Sequence, residues 1–490
     1  MNPAWKTLAF SLLCLSLACK TVNTPPEPVR PSPAEATPPP ATDSGPRPGP
    51  VSSQAALAGL PATLPFHLEV SEGAKSLPRG VQSFAFATSG GKWLFVGGRT
   101  NGFHLTATSM RTFPVAYANK QLLVFDPGSG QSWSRDLPAA YLPQLSATNT
   151  ESHQDGDTLY VAGGYGSNCG KDTASCYGTY PNLTALKVKD VIDAVVAGDD
   201  AKLASSIVSI EDARFQVAGG VLRKVGDYFY LVMGQNYSRI YSAAVSGAYT
   251  EQVRRFKLGF DGQTLTVSDY QAFGDPSGAQ GTASQFHRRD LNVTEAITPS
   301  GNPGLNVWGG VFTADDRGWS HPIYIEPQGS AAPALTVDAA FQQKTNYYEC
   351  ANLLMYDAAT GSMYTTLFGG ISNYYYNQAG ELVPGGTTNS LPFTNIISTL
   401  GRASNGTREY VQPMNQGLPA LIGANAELVL APGLPLVQGS HAIVDYAKLT
   451  GNRVLVGYLV GGIRATAWQA SGTNPTYPLE KLYEVYVVRP

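Results

Sequence analysis

Four consecutive residues, His287, Arg288, Arg289 and Asp290, form the most concentrated polar cluster in the sequence. Two adjacent guanidinium groups match planar oxyanions with paired hydrogen bonds, so this run could hold a carboxylate or a sulfate. The same residues could equally form an Arg–Asp network that ties neighbouring elements together. Arg214, Tyr348, Glu349 and His441 occupy the corresponding approach to other strands. Glu349 with His441 or His287 makes an acid/base pair only if the fold brings them within reach. Tyrosine- and asparagine-rich stretches accompany them. These include Tyr165, Asn168, Tyr177 and Tyr180; Asn236, Tyr237, Tyr241 and Tyr249; and Asn373, Tyr374, Tyr375 and Tyr376. Tyrosine offers a flat apolar face with a polar tip, and asparagine pairs a donor with an acceptor, a combination suited to sugars or a protein surface.

Other chemistries lack their residues. Asp315 and Asp316 are too short a run for a calcium loop, and no phosphate loop, zinc-ligand set or nucleophile elbow is present. No cofactor and no metal is therefore expected. The formal net charge is −3 and no basic block occurs, which argues against nucleic-acid binding. Cys169 and Cys176 share one Gly- and Ser-rich loop, where a disulfide is expected in an oxidising compartment. A metal site there would need histidines close by, and none is present. Cys350 reads as a buried apolar residue rather than a nucleophile.

The elements that must position these residues show themselves as a repeat. A hydrophobic strand ending in glycine returns six times: Trp93–Gly98, Leu159–Gly164, Phe229–Gly234, Leu305–Gly310, Thr365–Gly370 and Tyr458–Gly462. The final glycines are 66, 70, 76, 60 and 92 residues apart. Such a repeat marks a propeller, solenoid or array. Before each strand lies a turn: Gly90 and Gly91, Asp155 and Gly156, Gly226 and Asp227, Gly301 to Gly304, Thr360 and Gly361, and Gly451 and Asn452. Residues of this kind tolerate positive φ and close tight hairpins. After each strand comes a loop of about 12 to 25 residues, longer than a usual connection, and long loops on a rigid frame are where binding sites tend to be built. One stretch breaks the pattern. Val188 to Ile207 has helix-like spacing interrupted by Gly198, so two short helices are expected inside the second unit.

Strand, turn, strand ending in Gly-Gly, long loop and two further strands together resemble the Kelch repeat. All six units carry the resemblance, and the third departs from it because Met233 replaces the first glycine. The resemblance implies an all-β fold, a six-bladed Kelch-type β-propeller with a short helical insertion in blade 2. The chain ends on Leu482 to Val488, a third strand with nothing after it. Pro65 to Val70 is expected to supply the missing fourth strand, so that an N-terminal strand closes the propeller and hides its edges.

Three regions are expected: residues 1–18, 19–57 and 58–490. Lys6 followed by the apolar run Leu8 to Ala18 reads as a signal segment, too short to span a membrane as a stable helix. Ser16 to Cys19 resembles the lipobox of bacterial lipoproteins, which implies lipidation of Cys19; Ser16 and Leu17 are not the commonest residues there. An ordinary secretory signal cleaved after Ala18 is the alternative. Lys20 fits outer-membrane rather than inner-membrane placement under the same resemblance. From Thr24 to Pro50 the chain is Pro-, Ser-, Thr- and Ala-rich, the composition of a disordered, partly polyproline-II tether.

These readings converge on a membrane-tethered protein of the bacterial cell envelope that binds a glycan or an envelope protein through its long loops. The candidate ligand-binding residues are His287, Arg288, Arg289, Asp290, Arg214, Glu349, His441, Tyr165, Tyr237 and Tyr374. A sugar-modifying enzyme is the alternative, since Kelch propellers include mutarotase-like and copper-oxidase-like enzymes. The copper type resembles a site with two histidines, two tyrosines and a cysteine cross-linked to tyrosine. With Cys169 and Cys176 paired, only Cys350 would remain for it.

Overall fold

At the end of all six repeated strands the backbone turns the same way, with both residues of each terminal pair at φ between +55° and +91°. These values come from a computed structural model, which describes residues 59–104, 112–241, 247–385, 391–471 and 473–489. The expected signal, the tether and Cys19 lie outside the described residues. Glycine is needed at these turns for space as well as for φ. A Cβ on Gly97 would lie 2.6 Å from the Leu145 carbonyl oxygen, and one on Gly163 or Gly369 would collide with the carbonyl of Val217 or Ile422. Met233 adopts the same left-handed φ of 55° without being glycine. Its carbonyl accepts a hydrogen bond from the buried Arg254 guanidinium at 2.8 Å, and its N–H donates to the Gln252 carbonyl at 2.8 Å.

The chain is all-β and builds several small sheets, almost wholly antiparallel; among the described residues five have four strands and one has five. The first comprises Ala85–Ser89, Lys92–Val96, Gln121–Phe125 and Ser132–Asp136. The second comprises Glu151–Asp155, Thr158–Ala162, Asn182–Lys187 and Ile207–Glu211. Val221–Val225, Tyr228–Val232, Val253–Phe260 and Leu265–Phe273 make the third. Asn292–Ile297, Pro303–Trp308, Ile323–Gln328 and Ala331–Val337 make the fourth. In the fifth, Asn352–Asp357, Ser362–Phe368, Ile397–Ala403 and Gly406–Val411 are joined by Ile443–Asp445, which runs parallel to Asn352–Asp357.

The sixth sheet takes its strands from both ends of the described chain. Glu427–Leu430, Arg453–Val460 and Lys481–Val488 are completed by His67–Ser76, which pairs antiparallel with the last of them, His67 opposite Val488. One expected hairpin is absent from this sheet. Gly451 and Asn452 do not connect its first two strands, because the preceding Ile443–Asp445 is drawn onto the fifth sheet and Glu427–Leu430 serves instead.

Apolar clusters fill the space between consecutive sheets. Tyr160, Leu183, Leu222 and Phe229 join the second and third; Trp308, Tyr324, Leu367 and Leu400 join the fourth and fifth. Phe95, Leu123, Val460 and Leu482 join the sixth to the first. The two helices expected inside the second unit are α1 (Val188–Ala197) and α2 (Asp200–Ser205), separated by Gly198 at φ 72°. Val191, Ile192 and Val195 of α1 are buried with Leu94, Leu122 and Val124 of the first sheet, and Asp199 caps α2 by accepting from the Lys202 N–H. This insertion is a packing element between two sheets.

Candidate functional site

Five of the six sheets are led in by a segment that pairs with the residue just after the second glycine. Gln82 pairs with Arg99, Thr148 with Tyr165, Ala218 with Gln235 and Arg289 with Val311. Ala424 pairs with Ile463 in the same way. The next lead-in residues touch one another across sheets. Gly219 N–H donates to the Asn149 carbonyl (3.1 Å), Asp290 to Gly219 (2.6 Å), Glu349 to Asp290 (2.9 Å), Asn425 to Glu349 (3.0 Å) and Ser83 to Asn425 (3.4 Å). Six lead-in segments, far apart in sequence, therefore meet at one place.

A cavity of about 40 Å³ lies over these residues, with Ser83, Asn149, Gly219, Asp290 and Asn425 in its lining. That is room for more than the roughly 10–15 Å³ one water needs. Its walls carry Arg99, Arg289, His104, Tyr165, Tyr237 and Tyr241, together with Phe103 and Phe113. Arg289 Nη1 donates to Asp290 Oδ2 at 2.8 Å, and its guanidinium lies 5.2 Å from the Phe312 ring centre. Asp290 Oδ1 also accepts from Asn149 Nδ2 at 3.2 Å. His104 is stacked on Phe103 (4.5 Å between ring centres) and lies beside Phe113 (4.7 Å). Burial, then the neighbouring Arg289 and Arg99 charges, lower its pKa to about 3, so the ring is neutral. Among the described residues the buried His104 Nδ1 and Arg289 Nε have no hydrogen-bond partner.

A second cavity, of about 120 Å³, shares Arg99, Phe113 and Tyr165 with the first and extends past Lys120, Ser167 and Asn168. The loop carrying Ser167 and Asn168 is tied by a disulfide between Cys169 and Cys176, whose Cα atoms are 5.5 Å apart. Cys350 is buried elsewhere, among Trp308, Tyr324, Leu367 and Leu400, and burial pushes its thiol up to about 12.

The residues singled out from the sequence separate into groups. Arg289, Asp290, Tyr165 and Tyr237 come together in the first cavity. Arg288 does not face it. Its guanidinium is fully buried and donates to the carbonyls of Gln285, Gly309 and His321, at 2.6 to 2.8 Å, which makes it a brace for the backbone. His287 pairs with Glu251 (Nδ1 to Oε1, 2.6 Å) and stacks on Tyr249 at 3.7 Å. Arg214 pairs with Asp212 beside Tyr270, outside both cavities. Tyr374 lies in the short strand Tyr374–Tyr376, also apart from them. Of the nine tyrosines expected to form an open face, Tyr165, Tyr177, Tyr180 and Tyr237 are buried and the other five half-buried; Tyr165, Tyr177 and Tyr237 pack against one another, because large rings gain more by mutual packing than by exposure.

Glu349 belongs to a different group. Burial pushes its carboxyl up to about 8, with Asp290 and Glu427 adding repulsion and Arg223 opposing it. Burial also raises Glu427, Glu295 and Glu151 above the ordinary carboxylate range. His441 is exposed and acts on Glu295 and His153 rather than on Glu349. Neither His441 nor His287 is a hydrogen-bond or ion-pair partner of Glu349. Among the described residues no three His, Cys, Asp or Glu side chains are placed to hold a metal ion.

Sequence reading passed over Arg99, His104, Asn149 and Asn425. A signal for Arg99 was present: it directly follows a glycine pair, and that column of the repeat (Arg99, Tyr165, Gln235, Val311, Ile371, Ile463) faces the lead-in segments. No protein-family model and no curated protein matches the chain.

Proposed function

We propose that this chain is a six-bladed Kelch-type β-propeller closed by its N-terminal strand, and that it binds a glycan or an envelope protein at the cavity over its centre. A lipid anchor on Cys19 and the Pro-rich tether would hold it at the outer membrane of a bacterial envelope. The architecture is supported by six hydrogen bonds from the second residue of each terminal pair. They run from Gly98 to Ala147, Gly164 to Val217, Gly234 to Arg288, Gly310 to Tyr347, Gly370 to Ile422 and Gly462 to Val81. Each joins one sheet to the approach of the next, and the sixth returns to the first. The pairing of His67–Ser76 with Lys481–Val488 supports closure by the same logic.

The binding reading rests on one observation: polar and aromatic side chains from five lead-in segments and three loops converge on a single cavity at the meeting point of the sheets. Thermal unfolding of the full chain with a panel of glycans tests it. A ligand at 100 times its dissociation constant stabilises the fold by about 2.7 kcal/mol. A shift with one glycan class, lost in Arg289→Ala, is the expected result. No shift with any glycan, together with no protein recovered from envelope extracts, would refute it. Faster anomer exchange of the bound sugar would favour the sugar-modifying alternative.

A further inference from the structure

Among the described residues Arg99 is a buried cation without a carboxylate partner. It is 4% exposed and takes part in no ion pair. Its Nε donates to Asn101 Oδ1 at 3.0 Å and its Nη2 to the Pro114 carbonyl at 2.8 Å, both neutral acceptors. Asp172, the carboxylate whose charge acts on it, already accepts from the Val115 N–H (2.8 Å) and the Tyr177 hydroxyl (2.6 Å). Burying a guanidinium without an anion is costly, and the group answers by a lowered pKa, to about 10, caused chiefly by burial. Arg288 is also buried with neutral acceptors only, but Arg99 differs from it in lining cavities that leave room for an anion.

Arg99 also stands in the common wall of the two cavities. The outer cavity carries a second cation, the exposed Lys120, and no acidic side chain among its described lining. The inner cavity has one acid in its described lining, Asp290, which Arg289 and Asn149 already hold. In a chain whose net charge is −3, this stretch is locally positive.

We infer that the two cavities form one site for an acidic glycan, with the oxyanion of a carboxylate or sulfate ester held by Arg99 and the rest of the sugar lying on Tyr165 and Phe113 toward Lys120. The inference rests on the binding reading above and specifies its ligand class. Among the described residues Arg99 Nη1 has no acceptor, and the planar fork suits either oxyanion. The rings of Tyr165 and Phe113 offer faces to the sugar body.

Titration of the full chain with glucuronate, glucose 6-sulfate and glucose, followed by calorimetry, tests this. At least one acidic sugar should bind about tenfold or more tightly than glucose, the range expected for a hydrogen-bonded charge pair. Arg99→Gln should abolish that preference. Arg99→Lys keeps the charge but not the fork, and should weaken binding about tenfold while remaining sensitive to salt. Sodium sulfate gives a second readout that does not depend on the sugar: it should raise the melting temperature of the native chain more than that of Arg99→Gln at equal ionic strength. Which acidic sugar binds identifies the oxyanion. Glucose binding as well as the acidic sugars, or Arg99→Gln retaining the preference, overturns the inference and leaves glycan binding standing. No acidic sugar bound and no Arg99-dependent effect of sulfate overturns it as well, and the wider glycan panel then decides the binding reading separately.

Discussion

Glu349 should make the protein less stable as pH rises, and replacing it with glutamine should remove that dependence. Its carboxyl titrates near pH 8 in the folded chain against an ordinary value of 4.5, because burial, Asp290 and Glu427 disfavour the charge more than Arg223 favours it. A folded pKa above the unfolded one means that the folded state holds its proton more tightly. The resulting stabilisation is complete below the unfolded value and disappears as pH climbs through the folded one. At roughly 1.36 kcal/mol per pH unit, the native chain should lose about 4 kcal/mol between pH 5 and pH 9 from this group alone. For a folded region of roughly 430 residues, with about 2.1 cal/mol/K of unfolding entropy per residue, that is about 4 °C in melting temperature. Glu349→Gln mimics the protonated carboxyl in size and charge. Calorimetric scans of both proteins should therefore agree to within about 1 °C near pH 5 and separate by about 4 °C near pH 9, the variant being the more stable. Glu427, Glu295, Glu151 and Asp290 carry shifts of the same sign, so the native curve should fall further than Glu349 alone requires. A native-minus-variant difference that stays flat from pH 5 to pH 9 would refute the reasoning, since it would mean that Glu349 is solvated and ionised throughout.

Two further perturbations follow from the packing. Gly369→Ala places a Cβ against the Ile422 carbonyl at a residue with φ 62°, and should destabilise the fold by about 3 kcal/mol or more by strain and overpacking; urea unfolding that moves by less than about 1 kcal/mol would contradict it. Cys350 should be inert to a thiol reagent in the native chain, being buried with its thiol pushed up to about 12, and should react fully once the chain is unfolded; rapid native labelling would show that its cluster opens.

How much of this was readable in the sequence depended on how local the cause was. The strands ending at Gly98, Gly164, Gly234, Gly310, Gly370 and Gly462 were legible because their turns and apolar runs are local, and because six copies reinforce one another. The two helices around Gly198 were legible for the same reason. The connection at Gly451 was misleading: its turn residues are ordinary, and only the competing pairing of Ile443–Asp445 with the fifth sheet displaces the hairpin, a contact between segments about ninety residues apart.

The site was harder to read because side-chain chemistry does not reveal its partners. Arg288 and Arg289 are neighbours in sequence with identical chemistry, yet one braces the carbonyls of Gln285, Gly309 and His321 and the other faces a cavity. Arg99 stands alone in sequence, and only its position after a glycine pair, facing a lead-in segment, brings it to the wall of both cavities. A cluster of charges along the chain thus does not tell which of its members reach a cavity. In a repeat protein the more informative reading runs down the columns of aligned units, because equivalent positions from distant units are the ones that meet.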